Sequence, residues 1–336
     1  MTQKANVRDV AVRALVSVAT VSRVLNGVDS VRPELKGRVL AAVTDLGYRP
    51  NRLARSLRRQ RAQTVAVMVS DIENPHFAEM VRAAEDRLYD LGYAVLLCNT
   101  DERADKQRRY LEVLADERVL GVILAPSNPE DPAITELLDM GIPVVAVDRL
   151  VDDPRADAVI GNNLEAGREA TAHLIAHGCR HIGFVSGPDA APTAADRLAG
   201  YSDGVRRAGL SSHIAFGGFR IEGGRDATLQ LLNKMPLDGL VVANNLMTIG
   251  ALQAFHRTDS SVPLVTIDDP FWADLVQPPL TALRQPVSRM AATAVELLFE
   301  RLAGGRREPR RLTFDFQLVV RASCGDHPVE GNPWQK

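Results

Sequence analysis

At 336 residues the chain is too long for one small domain and suits two or three. Its 46% apolar and 24% charged content is that of an ordinary globular protein, and no window holds the roughly 18 consecutive apolar residues of a membrane span. The N-terminus carries no apolar signal region, and Cys98, Cys179 and Cys324 are widely spaced without a C-x-x-C pair. A disulfide framework or structural zinc site is therefore not expected, and a reducing cytoplasm is. The formal net charge of −2 hides an asymmetry: residues 1–64 hold 13 Lys/Arg against 4 Asp/Glu, and the remainder 27 against 38. A basic head on an acidic body concentrates a phosphate-seeking surface in one place.

In chain order, Val10, Ala11 and Ala14 recur at helical spacing, a break follows at 15–17, and Val18, Val21, Val24 and Leu25 form a second stripe. Residues 33–46 supply a third helix, with Pro33 at its first position and Leu35, Val39, Ala42, Val43 and Leu46 on one face. Three short helices with Thr20, Ser22, Arg23 and Asn26 facing outward have the layout of a helix-turn-helix DNA reader. Spacing alone leaves an ordinary small helical bundle as the alternative.

The residue identities go further. VSVATVSRVLNG, followed by LGYRPNRLARSL at 46–57, resembles the head of the lactose-repressor (LacI/GalR) family of bacterial transcription factors. The resemblance implies that Val18 and Ala19 face base edges by shape and methyl contact, with Arg23 reaching a base or a phosphate. Ser17, Thr20, Ser22 and Asn26 suit caps and phosphate contacts. It also implies that residues 50–64 are a hinge that orders over DNA, with Leu57 as a minor-groove wedge and Asn51 and Arg55 beside it. Three positions depart from the pattern: Leu15 stands where a turn glycine is usual, Arg32 where a Ser or Thr cap is usual, and Gly37 lies inside the third helix.

From Thr64 the chain alternates strands with amphipathic helices: TVAVMVS, YAVLLCNTD, GVILAP and IPVVAVDR, then again HIGFVSG, GLVVAN and PLVTIDD. Two such series give two doubly wound α/β parallel-sheet subdomains facing each other across a cleft, with ligands expected at the carboxyl ends of the strands. SDIENPHFAEM, HLIAHGCRHIGFVSGP, RLAGY and PPLTALRQPV resemble the periplasmic-binding-protein-like body of the same family. That resemblance implies a head at 1–49, a hinge at 50–64 and an effector-binding, dimerising body at 65–336. Its N-subdomain would span about 65–161 plus 287–317, and its C-subdomain about 162–286 plus 318–330, with late crossings near 284–288 and 315–322.

Carried over position by position, the effector would touch His76, Phe77, Arg149, Arg197, Asn244 and Asp268, with Phe77 or Trp272 offering a stacking face. A sugar or polyol fits this set best. A purine is the second choice, because it needs aromatic walls and the chain is only 5% aromatic. Asn162 and Asn245 replace usual aspartates, and His76 replaces a usual aromatic residue. His173 and His177 have i, i+4 metal-ligand spacing, but no Glu lies between them as in H-E-x-x-H, so no metal or cofactor is expected. No G-x-S-x-G or P-loop is present, and GGFRIEGG at 217–224 is glycine-rich without the right flanks, so an enzyme is not expected.

The expected partners are a palindromic double-stranded operator, a small effector and a second copy of the chain. The segment ASCGDHPVEGNPWQK has two prolines and no leucine heptads, which favours a dimer over a tetramer. The competing class, a sugar-binding protein or carbohydrate enzyme with a basic head, predicts no salt-sensitive duplex binding.

Overall fold

The computed structural model describes residues 6–25, 31–47, 64–260, 262–304 and 308–325. These fall into two compact units, residues 1–62 and 63–336.

In the head, α1 (Val7–Ala14), α2 (Val18–Leu25) and α3 (Pro33–Asp45) close around Val10, Ala11, Ala14, Val21, Val24, Val39 and Ala42. Asn6 caps α1 reciprocally. Its side-chain oxygen accepts from the Arg8 and Asp9 N–H groups, and the Asp9 carboxylate accepts from the Asn6 N–H at 2.7 Å. Ser17 Oγ accepts from the Thr20 N–H at 3.1 Å at the start of α2, whereas α3 begins at Pro33 with no side-chain cap from Arg32.

Leu15 ends α1 in the left-handed region, φ 53° and ψ 48°, a conformation that costs a residue with a Cβ about 1–2 kcal/mol. Arg38 offsets part of this. Its Nη2 donates to the carbonyls of Ala14 at 2.6 Å and Leu15 at 2.9 Å, oxygens that a helix end leaves open. The Leu15 side chain is 80% exposed and contributes little packing. Leu15→Gly is expected to stabilise the head by about 1 kcal/mol, seen by calorimetry as a rise in its melting transition.

The body has two lobes. The first is a parallel sheet of β1 (Thr64–Val69), β2 (Ala94–Asn99), β3 (Val122–Leu124), β4 (Val144–Val147), β5 (Asp157–Gly161) and β11 (Arg311–Phe314), in the order β11-β5-β4-β3-β1-β2. Helices α4 (Pro75–Asp90) and α11 (Val287–Leu302) cover one face through Val67, Val69, Ile123 and Val145. On the other face, α5 (Ala104–Asp116) and α6 (Pro132–Asp139) pack on Met68, Leu124 and Val144. A sheet covered on both faces reads as continuous apolar runs, which is why TVAVMV does not alternate.

The second lobe holds β6 (Ile182–Ser186), β7 (His213–Phe216), β8 (Gly239–Val242), β9 (Leu264–Ile267), β10 (Thr281–Arg284) and β12 (Gln317–Val319). Their order is β12-β10-β9-β8-β6-β7, with only β12 antiparallel to its neighbour. Helices α7 (Asn163–Ala176), α8 (Pro192–Arg207), α9 (Ile221–Lys234) and α10 (Asn245–Thr258) complete it. The chain passes between lobes three times: from β5 to α7, from β10 to α11, and from β11 to β12. Each lobe therefore depends on residues distant in sequence. Among the described residues no helix is long and apolar enough to cross a membrane.

Candidate functional site

On α2 of the head, Ala19 and Arg23 are exposed, and Val18, Thr20 and Ser22 are half-buried. The hydroxyls of Ser17 and Thr20 lie 2.9 Å apart and hydrogen-bond, so these two residues also fix the helix start. Asn26, Asn51, Arg55 and Leu57 lie outside the described residues.

In the body, the loops after successive strands converge on a cavity of about 330 Å³ between the lobes. The first lobe contributes Asp71, His76 and Phe77 after β1, Glu102 after β2, and Asp148 and Arg149 after β4. The second contributes Arg197 from α8, Phe219 and Arg220 after β7, Asn244 after β8 and Asp268 after β9. Glu102, Asp148, Phe219 and Asp268 all have positive φ, from 57° to 73°. Four non-glycine residues in this costly region around one cavity, two from each lobe, mark a site whose geometry outranks local comfort.

Arg149 is the electrostatic centre of the first lobe's wall. Its two terminal nitrogens fork onto the Glu102 carboxylate at 2.6 and 2.7 Å, and its Nε stands 3.4 Å from Asp148. Burial pushes Glu102 upward, but the Arg149 hydrogen bonds and charge outweigh it and hold the carboxyl below its ordinary range. Burial likewise opposes the Arg149 charge, and Glu102 and Asp148 more than compensate.

In the second lobe, Arg197 donates to Asn163 Oδ1 at 2.8 Å and to the Ala243 carbonyl at 2.5 Å. Gln285 Nε2 donates to Asp268 Oδ1 at 2.7 Å, and Asn244 caps α10 through the Met247 N–H at 2.9 Å. His76 differs from all of these. It is 7% exposed, and neither ring nitrogen has a hydrogen-bond partner within the protein.

The fold thus brings His76, Phe77, Arg149, Arg197, Asn244 and Asp268 to one cavity. Trp272 is not among the lining residues and has to be corrected: after the left-handed Asp268 the chain turns away over 270–275, and the indole packs on the second lobe's core. Phe219 supplies the second aromatic wall instead. Asp71, Glu102, Phe219, Arg220 and Gln285 also line the cavity and had no sequence assignment beyond the glycine-rich segment around Phe219. His173 and His177 do meet, with ring centroids 4.6 Å apart, but among the described residues no third metal-ligating side chain joins them.

Comparison with known proteins bears on both units. The model of bacterial regulatory proteins of the lacI family matches residues 6–51, and that of periplasmic binding proteins and the sugar-binding domain of the LacI family matches residues 62–280. A ribose operon repressor from Halalkalibacterium halodurans is 35% identical over 320 residues, covering 94% of this chain and 96% of that protein. The chain belongs to the LacI family. The HTH-type transcriptional repressor PurR of Photobacterium profundum is 33% identical, covering 96% of this chain and 99% of PurR. The lac repressor dimer bound to operator and the anti-inducer ONPF superposes with a TM-score of 0.84 at 26% identity, over 96% of this chain and 100% of that one. Like its LacI-family relatives, the protein is a DNA-binding regulator of transcription and not an enzyme.

Proposed function

We propose that this regulator is a cytoplasmic repressor whose operator affinity is set by a small, uncharged polyhydroxy ligand, a sugar or polyol, held between the lobes. The observation that carries this is the division of labour in the cavity wall. Arg149 and Arg220 are already paired with Glu102 and Asp71, and Asp268 accepts from Gln285, while the buried imidazole nitrogens of His76 make no hydrogen bond within the protein, the Asp148 carboxylate standing 3.7 Å from Nε2. Hydroxyls can bond the imidazole and the outer lone pairs of the carboxylates without displacing the Arg149–Glu102 or Arg220–Asp71 pairs. About 330 Å³ is near the small end for ligand cavities, which suits a single sugar ring.

A purine is the second reading, supported by Phe77 and Phe219 on walls from opposite lobes, where two rings can clamp a flat base. The protein acts as a homodimer in this proposal. Leu96 and Leu97 on edge strand β2, and Phe271 and Leu275 on the second lobe, are exposed apolar side chains suited to a two-fold contact along the body. A ligand that shifts one lobe against the other changes the spacing of the two linkers leading to the heads, and about 1–3 kcal/mol of coupling is typical.

The test is a thermal-shift panel of neutral pentoses, hexoses and polyols, sugar phosphates, and purines. A neutral sugar at 100 times its dissociation constant is expected to add about 2.7 kcal/mol, with the phosphates silent. Operator titration with and without that sugar then gives the sign of regulation. A shift with purines alone supports the second reading, and silence from every neutral sugar and polyol overturns the first.

A further inference from the structure

The glycine-rich segment GGFRIEGG carries both Phe219 and Arg220 of the cavity lining. It forms the turn from β7 into α9, and it sends one side chain across the cleft. Arg220 Nη1 donates to Asp71 Oδ2 at 2.9 Å, joining the second lobe to the loop after β1 in the first. Close by, Asn245 Nδ2 donates to Asn74 Oδ1 at 3.0 Å, also from the second lobe to the first. The stretch 71–74 is therefore gripped twice from across the cleft. It is itself set by two local turns, in which Asp71 Oδ1 accepts from the Glu73 N–H at 3.1 Å and Asn74 Oδ1 from the His76 N–H at 3.0 Å.

The arm that carries Arg220 is stiff. A Cβ on Gly223 would lie 2.0 Å from the Gly217 carbonyl oxygen, so the loop lies directly on the first turn of α9. The Phe219 ring, on a left-handed backbone at φ 59°, fills the space where a Cβ on Gly187 would sit 2.3 Å away. With the backbone of the arm fixed, the pair is lost either by rotation of the half-exposed Arg220 side chain or by movement of the second lobe.

We propose that Arg220 and Asp71 form a latch across the mouth of the cavity, which holds the lobes together and sets how fast a ligand enters and leaves. Only the consequence for ligand exchange rests on reading the cavity as the effector site. The surroundings favour the latch electrostatically. Burial opposes the Glu102 charge and Arg149 stabilises it most, with the Arg220 charge adding to that stabilisation from the other lobe. Arg220 thus faces an acidic lip, and Asp71 is its hydrogen-bonded partner within it. With the Arg220 side chain 47% exposed and that of Asp71 9%, the pair is open to screening by salt.

The experiment is hydrogen exchange on the full chain, comparing wild type with Arg220→Gln, Asp71→Asn and the double variant. Asn at 71 retains the oxygen that the Glu73 N–H needs, so the turn is preserved. Amides over 71–77 and 217–224 are expected to exchange two- to about five-fold faster in each single variant, the range for a partly exposed ion pair. The double variant should be no faster than the singles, and wild type in about 1 M salt should behave as they do. Unchanged exchange in Arg220→Gln, or effects of the two substitutions that simply add, would overturn the latch. Stopped-flow binding with D-ribose as the probe extends the test, with association and dissociation both faster in Arg220→Gln. Failure of ribose to bind wild type would count against ribose as effector and leave the exchange result to decide the latch.

Discussion

Replacing Arg149 by Met is expected to destabilise the body by about 3 kcal/mol near neutral pH and to abolish its response to ligand. The guanidinium is 7% exposed, forks onto Glu102 and stands 3.4 Å from Asp148. Its removal leaves two carboxylates on one wall without their shared counter-charge, and breaking a buried pair in this way costs roughly 3–5 kcal/mol. The lower end applies because a third of the Glu102 side chain, 33%, still faces water. The pH dependence separates charge from packing. In wild type Glu102 lies below its ordinary range, so the stability it contributes is complete above about pH 4.3 and is lost as pH falls through the lower folded value. In the variant, burial is no longer opposed by the arginine, so Glu102 titrates higher than in wild type, and the penalty of its buried charge, full at neutral pH, is relieved as acid protonates it. Denaturant melts at pH 7.5 and pH 5 should show the gap between wild type and variant narrowing toward pH 5. A constant gap would assign the contribution of Arg149 to packing alone.

That network also shows where sequence reasoning stops. Arg149, Arg197, Asn244 and Asp268 follow strands or sit on the helix after one, so the rule that ligands gather at carboxyl ends of parallel strands places them together. The partners that define their chemistry are not local. Glu102 is 47 residues from Arg149, Asp71 is 149 from Arg220, and nothing in either stretch announces the other. The misplacement of Trp272 has the same origin: proximity to Asp268 in sequence says nothing about which way the chain turns after a left-handed residue. The head was more legible, because short amphipathic helices have few ways to bury Val10, Val21 and Val39 together. Even there, the left-handed Leu15 was foreseeable and its support by Arg38, 23 residues away, was not. Among the strands, β5, β7, β10, β11 and β12 escape the alternating pattern. Each is three to five residues long, and β5, β10 and β11 lead into crossings between lobes.

The helix pair that carries Arg197 gives the second large effect, and it comes with an internal control. α7 and α8 pack at backbone distance: a Cβ on Gly167 would lie 2.0 Å from the Arg197 carbonyl oxygen and 2.8 Å from its carbonyl carbon. Neither atom can rotate aside, so Gly167→Ala must push α8 bodily away from α7. Overpacking a well-filled core costs about 1–3 kcal/mol when side chains can yield, and the upper end or beyond applies where they cannot. Because Arg197 sits at the point of collision, its bonds to Asn163 and Ala243 are displaced together with the helix, and ligand response should be lost in whatever protein still folds. Gly204 lies in the same interface, but the atoms its Cβ would meet are side-chain atoms of Thr171, at 3.0 and 3.1 Å. A shift of a few tenths of an ångström accommodates them, and the helix gains about 1 kcal/mol on exchanging an interior glycine for alanine. Gly204→Ala is therefore expected within about 1 kcal/mol of wild type with its ligand response intact, while Gly167→Ala loses about 3 kcal/mol or more. Equal losses in chemical denaturation would mean that helix flexibility, and not the close backbone contact, is what these glycines provide.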